Sequence, residues 1–226
     1  MHIPDGLVDA PVSIAAGAIA VGGVAVALRQ AGKDDLASRA PMTGLVAAFI
    51  FAVQMLNFPV ASGTSGHLLG GVLAAVLVGP WLGSLAVTTV LVVQCLLFAD
   101  GGVSALGLNI INMAFVPAFV AYGLFVVARR LLPASRTGVL AATAVAALVS
   151  VVSASVAFTI EFALGGNGAA PVTTVAVAMV GTHVLIGVGE AIITTFTVGA
   201  VFASRPDLVH GAKDLEPTTL VEAVAA

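Results

Sequence analysis

Charge is the scarcest commodity in this sequence. Asp, Glu, Lys and Arg make up 8% of its 226 residues, against about 25% in an ordinary soluble domain. A chain this poor in charge and 60% apolar has too little interior to hide its hydrocarbon from water, and it is too apolar to stay disordered. Positive charge is especially short. Eight Lys and Arg against eleven Asp and Glu leave a formal net charge of -3, so there is no basic face for a nucleic-acid backbone. Cys95 is the one cysteine, which excludes an internal disulfide and a thiolate metal cluster. The sequence also has no G-x-x-x-x-G-K-[ST] phosphate loop, so this chain binds no ATP of its own by that device. What remains is a polytopic membrane protein, in keeping with a mean hydropathy of +1.16.

Long apolar runs are what the sequence does have. Seven are read, at 9–29, 41–57, 66–79, 81–99, 106–128, 137–163 and 172–203. They predict an all-α bundle of seven transmembrane helices. The separators carry charge or helix breakers, such as Gly79-Pro80, Asp100-Gly101-Gly102 and Gly165-Gly166-Asn167-Gly168. The run 66–79 is the weak one: as a helix it rises only about 21 Å, short of a hydrocarbon core of about 30 Å. It could instead form one bent span with the run that follows.

Basic residues decide the parity. They fall in three places: Arg29, Lys33 and Arg39; Arg129, Arg130 and Arg136; Arg205 and Lys213. Seven spans put all three on one side, which the positive-inside bias makes cytoplasmic. The N-terminus is then outside and the C-terminus inside, in a multi-pass protein of the plasma membrane. Residues 1–203 form the transmembrane domain, and 204–226 a short polar cytoplasmic tail expected to be mobile. The start, Met1-His2-Ile3-Pro4-Asp5-Gly6, lacks the positive region of a signal peptide and reads as a true outer chain end.

A histidine second from a free amine offers three nitrogens in a row: the amine, the His2 amide and its Nδ1. Together they close a five- and a six-membered chelate ring, and planar nitrogen coordination suits Ni(II) or Cu(II). The amine must be unblocked. The alternative is that His2 is an ordinary polar residue at a chain end. His67 follows a loop placed on the same outer face, and its imidazole could fill the fourth position. It could equally be hydrogen-bonded to its own loop. His183 and Glu190, seven apart on the last run, share a helix face inside the membrane. They could form a second ion station, a contact with a partner subunit, or a polar pair satisfied by Gln94, Asn109 or Asn112.

The opening Met1-His2-Ile3-Pro4-Asp5-Gly6 resembles the start of the CbiM/NikM family, the substrate-capture membrane components of cobalt/nickel energy-coupling factor (ECF) transporters. The likeness continues through Thr64-Ser65-Gly66-His67-Leu68-Leu69-Gly70, Gln94, Phe98-Ala99-Asp100-Gly101-Gly102, Leu106-Gly107-Leu108-Asn109 and His183 to Glu190. It implies seven helices and a metal held by the Met1 amine, His2 and His67. Ser65, Asn109, His183 and Glu190 would be supporting or pathway residues. It implies Ni2+ or Co2+ as transported substrate, no catalysis by this chain, and partners in the bilayer and beyond: a transmembrane coupling protein, a pair of ATPases and a small accessory membrane subunit. Two rivals stand beside it. Gly63-Thr64-Ser65-Gly66 resembles the segment that carries the serine of rhomboid intramembrane proteases, with His183 as base, although His183-Val184-Leu185-Ile186-Gly187 departs from that family's His-x-x-Gly. A stand-alone metal channel would need neither ATP nor partners.

Overall fold

The computed structural model describes residues 1–33, 36–60 and 65–215. Seven helices follow one another: α1 (Ala10–Ala31), α2 (Leu36–Gln54), α3 (Gly71–Val78), α4 (Pro80–Phe98), α5 (Leu106–Leu131), α6 (Arg136–Gly165) and α7 (Val172–Ser204). A two-residue antiparallel pair, β1 (Phe58–Pro59) with β2 (Ser65–Gly66), precedes α3. The starts follow local chemistry. Asp9 caps α1 by accepting from the Val12 N–H at 3.0 Å, with Pro11 in the first turn. Ser135 caps α6 through the Gly138 N–H at 3.2 Å. Between Ile111 and Ala121, α5 widens into i→i+5 turns around Pro117, which has no N–H to donate.

The expectation of seven spans needs correcting. Among the described residues, five helices are long and apolar enough to cross a membrane: α1, α4, α5, α6 and α7. The run 66–79 fails because only eight of its residues are helical, a rise of about 12 Å. Residues 67–70 are not helical, and Gly70 sits at φ 73°. Nor do α3 and α4 make one bent span. A Cβ on Gly83 would lie 2.8 Å from the backbone N of Ala75, so α4 folds back against α3 at Gly79-Pro80. The run 41–57 becomes the end of α2, which starts earlier and carries Arg39 and Pro41 in its first turns.

The bundle is built around α3. All eight of its residues are buried, while large apolar side chains such as Leu97, Leu185 and Phe196 point outward on the longer helices. This is the arrangement for a lipid solvent: the outside is hydrocarbon, and buried polar side chains lie within. The described tail is not loose. Pro206–Leu208 and His210–Leu215 form short 3-10 turns, with Val209 and Ala212 buried. His210 sits against Gly79, and Arg129 Nη2 donates to Asp214 Oδ2 at 2.7 Å. The tail is docked as far as Leu215 because its apolar residues cover the lower end of α3.

Candidate metal centre

The N-terminal segment threads into one end of the bundle. Met1, His2 and Ile3 are all buried. The Ile3 N–H donates to Asn109 Oδ1 at 2.7 Å, and Asn109 Nδ2 donates back to the Ile3 carbonyl at 3.2 Å. That carbonyl also accepts from the Gly102 N–H at 2.9 Å. A second anchor lies further along, where the Asn167 N–H donates to Leu7 O at 3.0 Å and the Asp9 N–H to Gly165 O at 2.7 Å. Asp5 accepts from the Ser104 N–H and hydroxyl at 2.8 and 2.5 Å. Gly102 is required here by close approach, since a Cβ on it would overlap the Asp5 backbone.

This strapping delivers His2 to His67. Their ring centroids are 4.8 Å apart and inclined by 32°. His67 is fully buried. Its Nδ1 lies 2.8 Å from the Leu68 carbonyl. A carbonyl only accepts, so Nδ1 carries the proton and Nε2 keeps its lone pair. That Nε2 has no hydrogen-bond partner among the described residues. The two readings of His67 are thus compatible: one ring nitrogen serves its own loop, and the other is left for a ligand. His2 Nε2 lies 3.5 Å from Asp100 Oδ2, and its Nδ1 lies 3.0 Å from where a Cβ on Gly101 would be.

The electrostatics keep these bases neutral. Burial lowers the Met1 amine from 8.0 to about 4, against a weaker opposing pull from the Asp100 carboxylate. Burial, then the nearby amine, lowers His2 from 6.5 to about 3. His67 is held well below its ordinary value by burial, then by the amine and by His2. Desolvation disfavours the charged form of each base, so lone pairs rather than protons face one another at pH 7. No group of three His, Cys, Asp or Glu side chains at metal-binding spacing occurs among the described residues.

The remaining site residues divide. Asn109 is a clamp for Ile3. The side chain of Ser65 lies outside the described residues. His183 is fully buried, with Nδ1 2.7 Å from Met179 O and Nε2 without a hydrogen-bond partner. It stands beside the His67 loop, its Cε1 lying 3.5 Å from where a Cβ on Gly66 would be. Glu190 is not satisfied by Gln94, Asn109 or Asn112. Its carboxylate accepts from the backbone N–H groups of Leu69 and Gly70 at 2.8 and 2.7 Å, while Asn112 donates to Glu161 at 2.6 Å. Gln54 was missed from the sequence. Its Nε2 donates to Leu69 O at 2.7 Å. A glutamine closing an apolar run was the available signal, since a polar group there needs a buried partner.

A buried N-terminal segment beside an unpartnered imidazole, inside a bundle with an apolar outer face, defines a polytopic membrane protein with polar groups gathered at one end. Comparison with known proteins makes this particular. Residues 2–208 match the family described as CbiM, cobalt uptake substrate-specific transmembrane region, and the chain belongs to it. A Haloquadratum walsbyi protein named for metal transport is 38% identical over 92% of this chain and 93% of its own length. The cobalt transport protein CbiM of Sorangium cellulosum is 33% identical over 92% of this chain and 94% of its own. The crystal structure of a transition metal transporter superposes with a TM-score of 0.85 at 30% identity, covering 96% of this chain and 100% of that one. The chain is thus a non-catalytic, multi-pass transport subunit, which displaces the protease reading.

Proposed function

We propose that this chain is the substrate-capture subunit of an ATP-driven importer for Ni2+ or Co2+, binding the ion through the Met1 amine, the His2 amide and Nδ1, and His67 Nε2. The observation that carries the reading is the buried, neutral chain end strapped against His67. Names among its relatives agree: a cobalt transport protein in Sorangium cellulosum and a fused nickel transport protein NikMN in Rhodobacter capsulatus, 33% identical over 92% of this chain and 64% of that protein.

The charge distribution supports an orientation. The metal end gathers residues 1–8, 100–105 and 164–171, which contain no Lys or Arg. The opposite end gathers Arg39, Arg129, Arg130, Arg136, Arg205 and Lys213, supporting a cytoplasmic assignment for that end. The ion enters from the outside, exchanges water for four nitrogens, and displaces the amide proton of His2. Among the described residues that amide has no hydrogen bond to lose. A coupling membrane protein, a pair of ATPases and a small accessory subunit supply energy and movement.

The test is a Ni(II) and Co(II) titration of the purified chain in detergent, beside His2→Ala, His67→Ala and a form extended by one residue ahead of Met1. Tight 1:1 binding that is lost in all three variants supports the chain-end site. Binding that survives the extension overturns it and points to His183 and Glu190. Metal uptake by proteoliposomes of this chain alone, without ATPases, would favour the stand-alone channel.

A further inference from the structure

Residues 67–70 are non-helical backbone packed into the bundle, with His67, Leu68 and Leu69 buried and Gly70 left-handed at φ 73°, where water cannot satisfy peptide groups. Two side chains from distant helices do so. Glu190 of α7 takes the N–H groups of Leu69 and Gly70, one on each oxygen. Gln54 of α2 donates to the Leu69 carbonyl. Glu190 and Gln54 are 1% and 0% exposed.

One peptide unit joins this clamp to the metal centre. The bond between Leu68 and Leu69 is a single rigid plane. On one side its carbonyl, Leu68 O, accepts from His67 Nδ1–H at 2.8 Å. On the other its N–H donates to Glu190 Oε2 at 2.8 Å. Carboxylate, peptide and imidazole thus form one hydrogen-bonded chain that ends at the unpartnered His67 Nε2.

We propose that Glu190, braced by Gln54, is a positioning residue for His67, acting through the Leu68–Leu69 peptide to hold the imidazole at the ion and make its Nε2 a better donor. The first effect is geometric: rotating that plane moves the carbonyl that fixes the ring. The second is electronic: a hydrogen-bonded carboxylate polarises the peptide, which polarises the imidazole, as outer partners of metal-bound histidines do. The proposal rests on the four-nitrogen reading above.

Glu190→Gln is nearly isosteric but separates the roles. An amide has one accepting oxygen, so one of the two N–H donors faces an NH2 group. An outer partner of a metal-bound histidine is worth roughly 10- to 100-fold in affinity, and the expected loss of Ni(II) affinity is about 10-fold at the lower end of that range. Gln54→Met removes the brace and is expected to weaken binding in the same direction. The decisive measurement uses Cu(II), which nitrogen sites hold more tightly than Ni(II), so that the remaining three-nitrogen chelate is still measurable without His67. Electron paramagnetic resonance counts the nitrogens in the Cu(II) plane: four are expected in the wild type and a weakened fourth coupling in Glu190→Gln. In a His67→Ala background, Glu190→Gln is expected to change Cu(II) affinity less than about twofold.

An equal fold loss with and without His67, or a fourth nitrogen coupling in Glu190→Gln as strong as in the wild type, overturns the proposal while leaving the chain-end site intact. If His67→Ala alone keeps wild-type affinity, the four-nitrogen reading fails and this one fails with it. Should Glu190→Gln not fold, Gln54→Met with and without His67 decides by the same spectrum and affinities.

Discussion

Asn109→Ala isolates the docking of the chain end from the chemistry of the metal. Asn109 is not a proposed metal ligand, and it makes both of its hydrogen bonds to Ile3, at 2.7 and 3.2 Å. Truncation leaves the fully buried Ile3 N–H without a partner, which costs about 1–3 kcal/mol. The Ile3 carbonyl keeps the Gly102 N–H, so its loss is nearer the ordinary net value of about 1 kcal/mol. The sum, about 2–4 kcal/mol, falls on the docked state of residues 1–5 and not on the helices. At 1.4 kcal/mol per tenfold, Ni(II) affinity falls by at most about 30- to 700-fold, and by less if the docked end has stability in reserve. Asn109→Asp keeps an acceptor for the Ile3 N–H and is expected to lose less than Asn109→Ala. Isothermal titration in detergent measures the affinities, and the unfolding temperature without metal shows that the bundle is unchanged. Wild-type Ni(II) affinity in Asn109→Ala would refute the reasoning, because the metal would then be indifferent to how the chain end is held.

Four further outcomes follow from the same geometry. At pH 7 Ni(II) binding should release close to one proton, that of the His2 amide, since the amine and His2 already sit near 4 and 3; a solvated chain end with ordinary values would release about two or more, and titration in buffers of different ionisation enthalpy counts them. Because these bases are depressed on docking, the undocked end binds more protons, so docking is fully favourable above about pH 8 and weakens as pH falls toward 4. Gly102→Ala should weaken metal binding by crowding Asp5, whereas Gly44→Ala, in α2 with open space around its Cβ position, should be neutral or stabilise by up to about 1 kcal/mol; equal effects of the two on Ni(II) affinity would contradict the close approach. Asp214→Asn removes a pair whose carboxylate is 59% exposed, so unfolding in detergent should shift by less than about 1 kcal/mol.

Much of this was readable from residue order, and the unreadable part has a common cause. That Met1-His2 and His67 belong to one site was proposed from the chemistry of adjacent atoms and single side chains, and the fold brings the two imidazoles to 4.8 Å. The five long helices were legible because hydropathy reports them directly. The run 66–79 misled because hydropathy cannot distinguish residues buried in lipid from residues buried in protein. Inside a bundle, a short helix and a non-helical lead-in read like one thin span. The same ambiguity hid Gln54 and the partners of Glu190, since both side chains bind backbone groups that no side-chain pattern displays. The two errors are one error. Had 66–79 been helical throughout, the Leu69 and Gly70 peptides would be satisfied within the helix, and a buried carboxylate on α7 would have nothing to hold. The helix is short, so the peptides before it are bare, and the side chains that cover them fix the loop that carries His67. An intramembrane Glu in such a chain is therefore to be read first against unwound backbone nearby, and only then as a station for the ion.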